Sequence, residues 1–445
     1  MSQKRIINSL LDVDRYKFTM SQFAFFLYRW VKVKFEFTNR TKSPEINAIL
    51  VYLIPYIKIE VNHVKNLRFK FSELTYLKGQ SIFRDEYLDF LSEISLNGVL
   101  VKEKNGLLEI EVTEDDWAIQ MFWETILLSI VAELYGRFCA CKKYSKANNL
   151  SDEESIILLG NCLNGSVEDL EKVNKPYYDE AYRLLDEKIK TLKHHPEIKF
   201  FDFSTRRRFS HELQEGIILK LKEAFNKPQF YGGSQFIGTS NEYLAMKHGI
   251  KAGGTHAHEV NSVIAGINSS SKEQLTNSQY KFLREWNEFY GYDLSVALTD
   301  TFGSDYFFEH CPEDIARMYS FREDSATDLY DYTEKVMKLY RKYNIDINDK
   351  VIVHSNGLDI PKVIEIDSFS KGKIHKIYGI GSNIGADVGN EFKNLSIVIK
   401  AVKADGHHLV KLSDNLAKAI GDKETIEKYK EAFDYTVKTS VEQHY

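Results

Sequence analysis

Proline is scarce in this chain, 7 residues among 445, and no Pro-, Gly- or Ser-rich stretch separates one part from another. That scarcity argues against independent modules strung on flexible or stiff linkers. Cysteine is scarcer still: Cys139, Cys141, Cys162 and Cys311 are the whole set. Four thiols are too few for a disulfide scaffold of this size, and Cys139-Ala140-Cys141 lacks the two-residue gap of zinc and redox pairs. They read as buried free thiols in a reducing compartment. No long basic block occurs, and 59 Lys+Arg against 64 Asp+Glu leave a net charge of -5. That balance argues against nucleic-acid or membrane-surface binding through a charged face.

Long uninterrupted apolar runs are missing as well. Asp12, Asp14, Arg15 and Lys17 break up the apolar core that an N-terminal signal peptide requires. Trp117 to Tyr135 is the most apolar segment, but it carries Gln120, Glu124, Ser129 and Glu133. It is predicted to be a long helix packed inside the protein and not a membrane span. A cytoplasmic protein is the resulting expectation.

What the chain does have is material for a large interior: 43% hydrophobic and 13% aromatic residues, with a mean hydropathy of -0.36. At 445 residues, two or three domains are expected. Val31-Lys32-Val33-Lys34-Phe35-Glu36-Phe37 alternates apolar with charged residues, which predicts a half-buried strand with one wet face. Residues 1–130 are expected to form an N-terminal α+β domain, with 395–445 packing back on it. Residues 131–394 have a different texture. Short strand-like runs at 198–203, 235–237, 250–254, 295–298, 318–321, 351–353 and 374–380 each end in a polar cluster followed by a helix-like stretch. A succession of β-then-α units predicts an irregular TIM-like α/β barrel whose polar clusters converge on one face. After it, Leu395 to Val402 and His408 to Leu412 read as strands, and a Lys- and Glu-rich terminal helix follows.

The strand-end clusters carry the chemistry. Gly379-Ile380-Gly381-Ser382-Asn383 and His354-Ser355-Asn356-Gly357 combine small residues, backbone amides and a hydroxyl, as a phosphate cradle needs. Two such clusters late in a barrel occupy the usual position of a barrel phosphate site, although Gly-x-Gly turns alone are common. Arg206-Arg207-Arg208 follows a strand, where a guanidinium suits a carboxylate or phosphate; a solvated basic loop is the competing reading. Asp300, Arg322 and Asp324 fall on the same face. They suit ribose hydroxyls or a Mg2+ ion carrying a pyrophosphate, or else an ion-pair network bracing the rim. His256 and His258 have no third ligand at zinc spacing, so no directly ligating metal set is assigned. One reactive imidazole, oriented by Glu259 or another acid, is the favoured reading, beside that of a core histidine.

Taken in order, these pieces resemble the nicotinate phosphoribosyltransferase family along nearly the whole chain. The resemblance is carried by Leu11-Asp12-Val13-Asp14-Arg15-Tyr16-Lys17-Phe18-Thr19-Met20, by Phe203 to Ser210, and by Gly238-Thr239-Ser240-Asn241. It continues through Gly254-Thr255-His256-Ala257-His258-Glu259, Leu298 to Gly303, Ser355 to Asp359, Gly379 to Asn383, and Lys411-Leu412-Ser413-Asp414. It implies transfer of phosphoribosyl from phosphoribosyl pyrophosphate to nicotinate, giving nicotinate mononucleotide for NAD synthesis with coupled ATP hydrolysis. It also implies Mg2+ and a homodimer whose active sites lie at the subunit interface.

By the same resemblance ATP would phosphorylate His258, with Asp300 and Asp324 as the other catalytic groups. Tyr16 of the partner chain would stack on the pyridine ring near Arg206. Thr239, Ser240 and Arg322 would line the substrate pocket, while Ser355, Asn356, Gly357, Gly381, Ser382 and Asn383 would hold the 5′-phosphate. The chain departs from the family pattern at Asp324-Ser325-Ala326-Thr327-Asp328, where Asp-Ser-Gly-Asp-Pro is usual, at Asn356 in place of an aspartate, and at Val260 in place of a tryptophan. Nicotinamide phosphoribosyl transfer, or a silent nucleotide-binding regulator, are the alternatives. An aldolase- or isomerase-like barrel lacks a good lysine in these clusters.

Overall fold

A computed structural model describes residues 3–225, 235–325, 328–390 and 392–436. Ala326 and Thr327, where the chain departs from the family pattern, lie outside the described residues, as do positions 437–445 of the C-terminal tail. The fold is mixed α/β, and the described residues hold two sheets, one of five strands and one of seven.

The first sheet takes β1 (Lys32–Asn39), β2 (Val99–Lys104) and β3 (Leu107–Asp116) from the start of the chain. The alternation in β1 does what its pattern predicts. Val33, Phe35 and Phe37 are buried, while Lys34 pairs with Glu36 and Glu111 on the other face at 2.8 and 3.0 Å. Its partners are all antiparallel, as expected of a sheet with one wet face.

The second sheet is parallel. It holds β4 (Phe200–Asp202), β5 (Phe236–Thr239), β6 (Lys251–Ala252), β7 (Val296–Leu298), β8 (Ser320–Glu323), β9 (Val351–His354) and β10 (His375–Ile380). All seven strand-like runs read from the sequence supply a strand. The spatial order is β6-β5-β4-β10-β9-β8-β7, a curled half-barrel whose edges β6 and β7 do not pair with each other. At that seam Thr255, just past β6, donates its hydroxyl to the carbonyl of Val296 on β7 at 3.2 Å.

From the far end of the chain β11 (Ile397–Ala404) returns to pair antiparallel with β1, and β12 (His407–His408) pairs with β11. The second strand expected there stops at His408 and does not run to Leu412. The reason is local: Leu412 N–H donates to the carbonyl of Thr301 at 2.8 Å, so the chain turns off the sheet and onto the half-barrel. A helix, Lys423–Ala432, follows as expected.

The apolar segment from Trp117 breaks into a short helix, Trp117–Gln120, and a long one, Trp123–Ala147, where a single helix was expected. Every residue from Trp123 to Arg137 is buried, the signature of a helix enclosed on all sides. Among the described residues, Trp117–Ala147 is the one stretch apolar and long enough to cross a membrane, and 94% of its apolar window is buried inside the fold.

Candidate functional site

The N-terminal segment is fastened to the strand ends of the half-barrel by two aspartates. Asp12 accepts both Arg208 amino groups, at 2.6 and 2.7 Å, and the Asn241 amide at 2.7 Å. Asp14 accepts the Ser240 hydroxyl at 2.6 Å, and Arg15 N–H donates to the Ser240 carbonyl at 2.7 Å. The helix Tyr16–Leu27 starts at that point, so Tyr16 is set against the ends of β4 and β5.

Tyr16 lines a cleft together with Arg206, Ser240, His258, Arg322 and Asp324, and the two small-residue clusters, Ser355–Gly357 and Gly381–Asn383, complete it. Of the catalytic and substrate-binding residues that the resemblance implies, Thr239 and Asp300 stand back from its wall. Thr239 donates to Asp202 at 2.8 Å and braces the strand end, while Asp300 sits behind His258. The convergence of separate strand-end clusters on one face follows from parallel strands ending together.

This chain's own Tyr16 lines the cleft, its segment anchored by Asp12 and Asp14. The arginine triplet divides: Arg206 and Arg207 face the cleft, whereas Arg208 is fully buried on Asp12. Glu259 does not orient His258. It accepts Lys17 at 2.7 Å and the Trp117 indole N–H at 2.7 Å.

The acids at His258 are Asp324, with Oδ2 3.0 Å from Nε2, and Asp300, with Oδ1 3.5 Å from it; Thr301 Oγ1 lies 3.0 Å from Nδ1. Burial pulls the His258 pKa down against the opposing pull of Asp300, so the imidazole is neutral near pH 7. A neutral ring beside an ionised Asp324 donates from Nε2 and accepts the Thr301 hydroxyl at Nδ1. Burial opposes the charge of Asp324, but His258, Lys411 and Arg322 outweigh it and hold the carboxyl well below its usual range. His256 is a core histidine. It lies edge-on to Phe282 and Trp286 at 5.0 and 5.3 Å, and burial keeps it neutral.

The phosphate-cradle clusters are joined to each other and to His258. Ser355 donates to Asp324 Oδ1 at 2.9 Å, and Asn383 donates to the Leu358 carbonyl at 2.7 Å. Ser382 Oγ and Arg322 Nε, both at the cleft, are buried with no hydrogen-bond partner among the described residues, so both are free to bond a ligand there. Gly379 is required by contact: a Cβ there would stand 2.4 Å from the Phe203 ring. Gly379→Ala is expected to cost about 1–3 kcal/mol of stability through overpacking, measured by denaturant unfolding.

Four further cations line the same cleft: Arg40, Lys400 and Lys418, which no sequence motif above contains, and Lys411, which lies in a family motif but was given no role. They come from the strand β1 end, from β11 and from the C-terminal segment, not from the half-barrel. Lys400, the single charge in Ile397-Val398-Ile399-Lys400, was the available signal. It reaches Glu124 at 2.9 Å, and Lys418 reaches Asn356 at 2.9 Å. With Arg206, Arg207 and Arg322 they make a cationic wall in which Asp324 is the only acid among the described lining residues. Such a wall suits a ligand with several phosphates.

His258, Asp300 and Asp324 bring their ligand atoms within 4.8 Å of one another. Asp300 Oδ1 is buried without a hydrogen-bond partner among the described residues, so the Asp300 and Asp324 carboxylates fit a Mg2+ ion shared with phosphate oxygens.

Residues 198–437 match the model of the nicotinate phosphoribosyltransferase (NAPRTase) family, and residues 11–132 match that of the family's N-terminal domain. A nicotinate phosphoribosyltransferase structure from Porphyromonas gingivalis is 27% identical, with a TM-score of 0.79, covering 97% of this chain and 100% of its own. One from Vibrio cholerae shares the fold at 24% identity and a TM-score of 0.80, covering 97% of this chain and 94% of its own. With the profile matches spanning both the half-barrel and the N-terminal segment that anchors Tyr16, this chain belongs to the nicotinate phosphoribosyltransferase family.

Proposed function

We propose that this enzyme transfers the phosphoribosyl group of phosphoribosyl pyrophosphate to nicotinate, giving nicotinate mononucleotide and pyrophosphate, with ATP hydrolysis coupled through phosphorylation of His258. The carrying observation is one cationic cleft holding an aromatic ring and an arginine (Tyr16, Arg206), a buried imidazole between carboxylates (His258), and two phosphate-cradle clusters.

The pyridine nitrogen is itself the nucleophile, so the protein has to orient it and not to attack carbon. Tyr16 offers a ring face and Arg206 a cation for the carboxylate. As pyrophosphate leaves, negative charge gathers on its oxygens, where Arg322, Lys411 and Lys418 stabilise it. Asp300 and Asp324 would hold Mg2+, which supplies further charge neutralisation at those oxygens. In the coupling step an imidazole nitrogen takes the γ-phosphoryl of ATP and ADP leaves. The phosphorylated ring favours one set of bound states over another, and water later releases the phosphate.

The test is autophosphorylation and turnover. The wild type is expected to take up acid-labile phosphate from ATP and to form product faster with ATP present. His258→Ala is expected to lose both the label and the ATP gain, and equal ATP stimulation in the variant would exclude the coupling role.

This chain's own Tyr16 lines the cleft that holds His258, so we take the ring to act in its own chain, and complementation tests that reading. Mixing Tyr16→Ala with His258→Ala, with unfolding and refolding to exchange any subunits, is expected to restore no activity. Recovery toward one quarter or more of the wild-type rate would mean that Tyr16 acts in trans.

A further inference from the structure

The groups that touch His258 are themselves held from a distance. Thr301, at Nδ1, accepts at its carbonyl the N–H groups of Leu412 and Ser413, at 2.8 and 3.3 Å. Asp300, near Nε2, accepts at Oδ2 the hydroxyl of Ser325, and the same hydroxyl accepts the N–H of Asp414 at 3.0 Å. The Asp414 carboxylate then takes both Ser304 N–H and Ser304 O–H at 2.7 Å, closing the loop that carries Asp300 and Thr301. One short segment, Leu412–Asp414, therefore reaches both sides of the imidazole through different intermediaries.

That segment is clamped in turn by the end of the chain. Tyr435 donates its hydroxyl to the Ser413 carbonyl at 2.7 Å. Phe433 stacks on Phe302, the neighbour of Thr301, with ring centroids 4.5 Å apart. Ser413 is fully buried with φ of 68°, a left-handed conformation unfavourable for a residue with a Cβ. Strain of that kind persists only where the surroundings over-determine it, and it concentrates at functional sites.

We propose that Ser325 is a positioning residue for His258, and that Leu412–Asp414, clamped by Tyr435, is the brace through which the C-terminal segment fixes the imidazole for phosphoryl transfer. The inference rests on the reading of His258 as the residue that ATP phosphorylates. Neither Ser325 nor Tyr435 lines the cleft, so neither touches substrate. Ser325 is fully buried, and its hydroxyl both donates to Asp300 and accepts from Asp414. Deleting its hydroxyl leaves a carboxylate oxygen and an amide N–H without those partners, and frees Asp300 to turn toward Lys411, whose Nζ lies 3.7 Å from Oδ2.

The experiment compares full-length wild type, Ser325→Ala, Ser325→Thr and Tyr435→Phe in steady-state turnover with and without ATP. Calorimetric titration of phosphoribosyl pyrophosphate reports whether each site is intact. Ser325→Ala is expected to lower the ATP-stimulated kcat about 10-fold, with KM for nicotinate and phosphoribosyl pyrophosphate within about twofold. Ser325→Thr, which keeps the hydroxyl, restores most of that loss, and Tyr435→Phe lowers the same kcat about threefold. The proposal is overturned if Ser325→Ala keeps full ATP-stimulated turnover, if threonine rescues nothing, or if KM and kcat collapse together as in general damage. A wild type with no ATP-stimulated turnover overturns the phosphohistidine reading and this inference with it. A stimulated wild type with an unaltered alanine variant overturns the inference alone.

Discussion

Asp12→Ala is expected to lower the unfolding free energy by about 3–5 kcal/mol, the usual cost of stranding one partner of a buried ion pair. Arg208 is fully buried, and its two amino groups both end on this carboxylate. Among the described residues, the guanidinium without Asp12 keeps Gln214, at 3.5 Å, and the more distant Glu133, at 3.8 Å. For a fold whose total stability is on the order of 5–15 kcal/mol, that loss is large. Urea unfolding of both proteins measures it.

The pH dependence has a definite sign. Burial opposes the Asp12 charge, but Arg208 and His211 overcome it and hold the folded pKa well below the ordinary carboxylate value. A depressed carboxylate contributes stability that is present above the unfolded pKa, about 3.9, and lost as pH falls through the folded pKa. The wild type should therefore lose stability below about pH 4 more steeply than Asp12→Asn, which has no such proton to take up.

Arg206→Met is expected to lower kcat/KM for nicotinate about 10- to 100-fold, with much less effect on nicotinamide turnover. A charge-assisted hydrogen bond to a carboxylate is worth about 1.5–3 kcal/mol, which converts to that range. Methionine keeps much of the side-chain volume and removes only the cation. Glu124, 3.6 Å from Arg206, keeps Lys17 and Lys400 as partners, so the fold should tolerate the change. Equal losses with both acceptors would assign Arg206 to the ribosyl donor instead.

Much of this is legible in the sequence, because it depends on local periodicity. The alternation of Val33, Phe35 and Phe37 forecast β1, and seven apolar runs with polar ends forecast the seven parallel strands. The convergence of the strand-end clusters on one cleft followed from strand polarity alone. What local pattern does not carry is who pairs with whom across long separations. Asp12 and Arg208 are 196 positions apart, and Lys17 and Glu259 are 242 apart. Nothing in Arg206-Arg207-Arg208 shows that its third member turns inward, and nothing in His258-Glu259 shows that the glutamate turns away to Lys17. The cationic wall was missed for a similar reason, since Arg40, Lys400, Lys411 and Lys418 come from elements outside the half-barrel.

The most direct test is product formation by the purified full-length protein from phosphoribosyl pyrophosphate with nicotinate or nicotinamide, each with and without ATP. The account predicts nicotinate mononucleotide, formed faster with ATP, and little or no nicotinamide mononucleotide. Faster turnover of nicotinamide would contradict the acceptor reading of Arg206. No turnover of either acceptor by a folded protein that binds the donor would contradict the enzyme itself and leave a nucleotide-binding regulator.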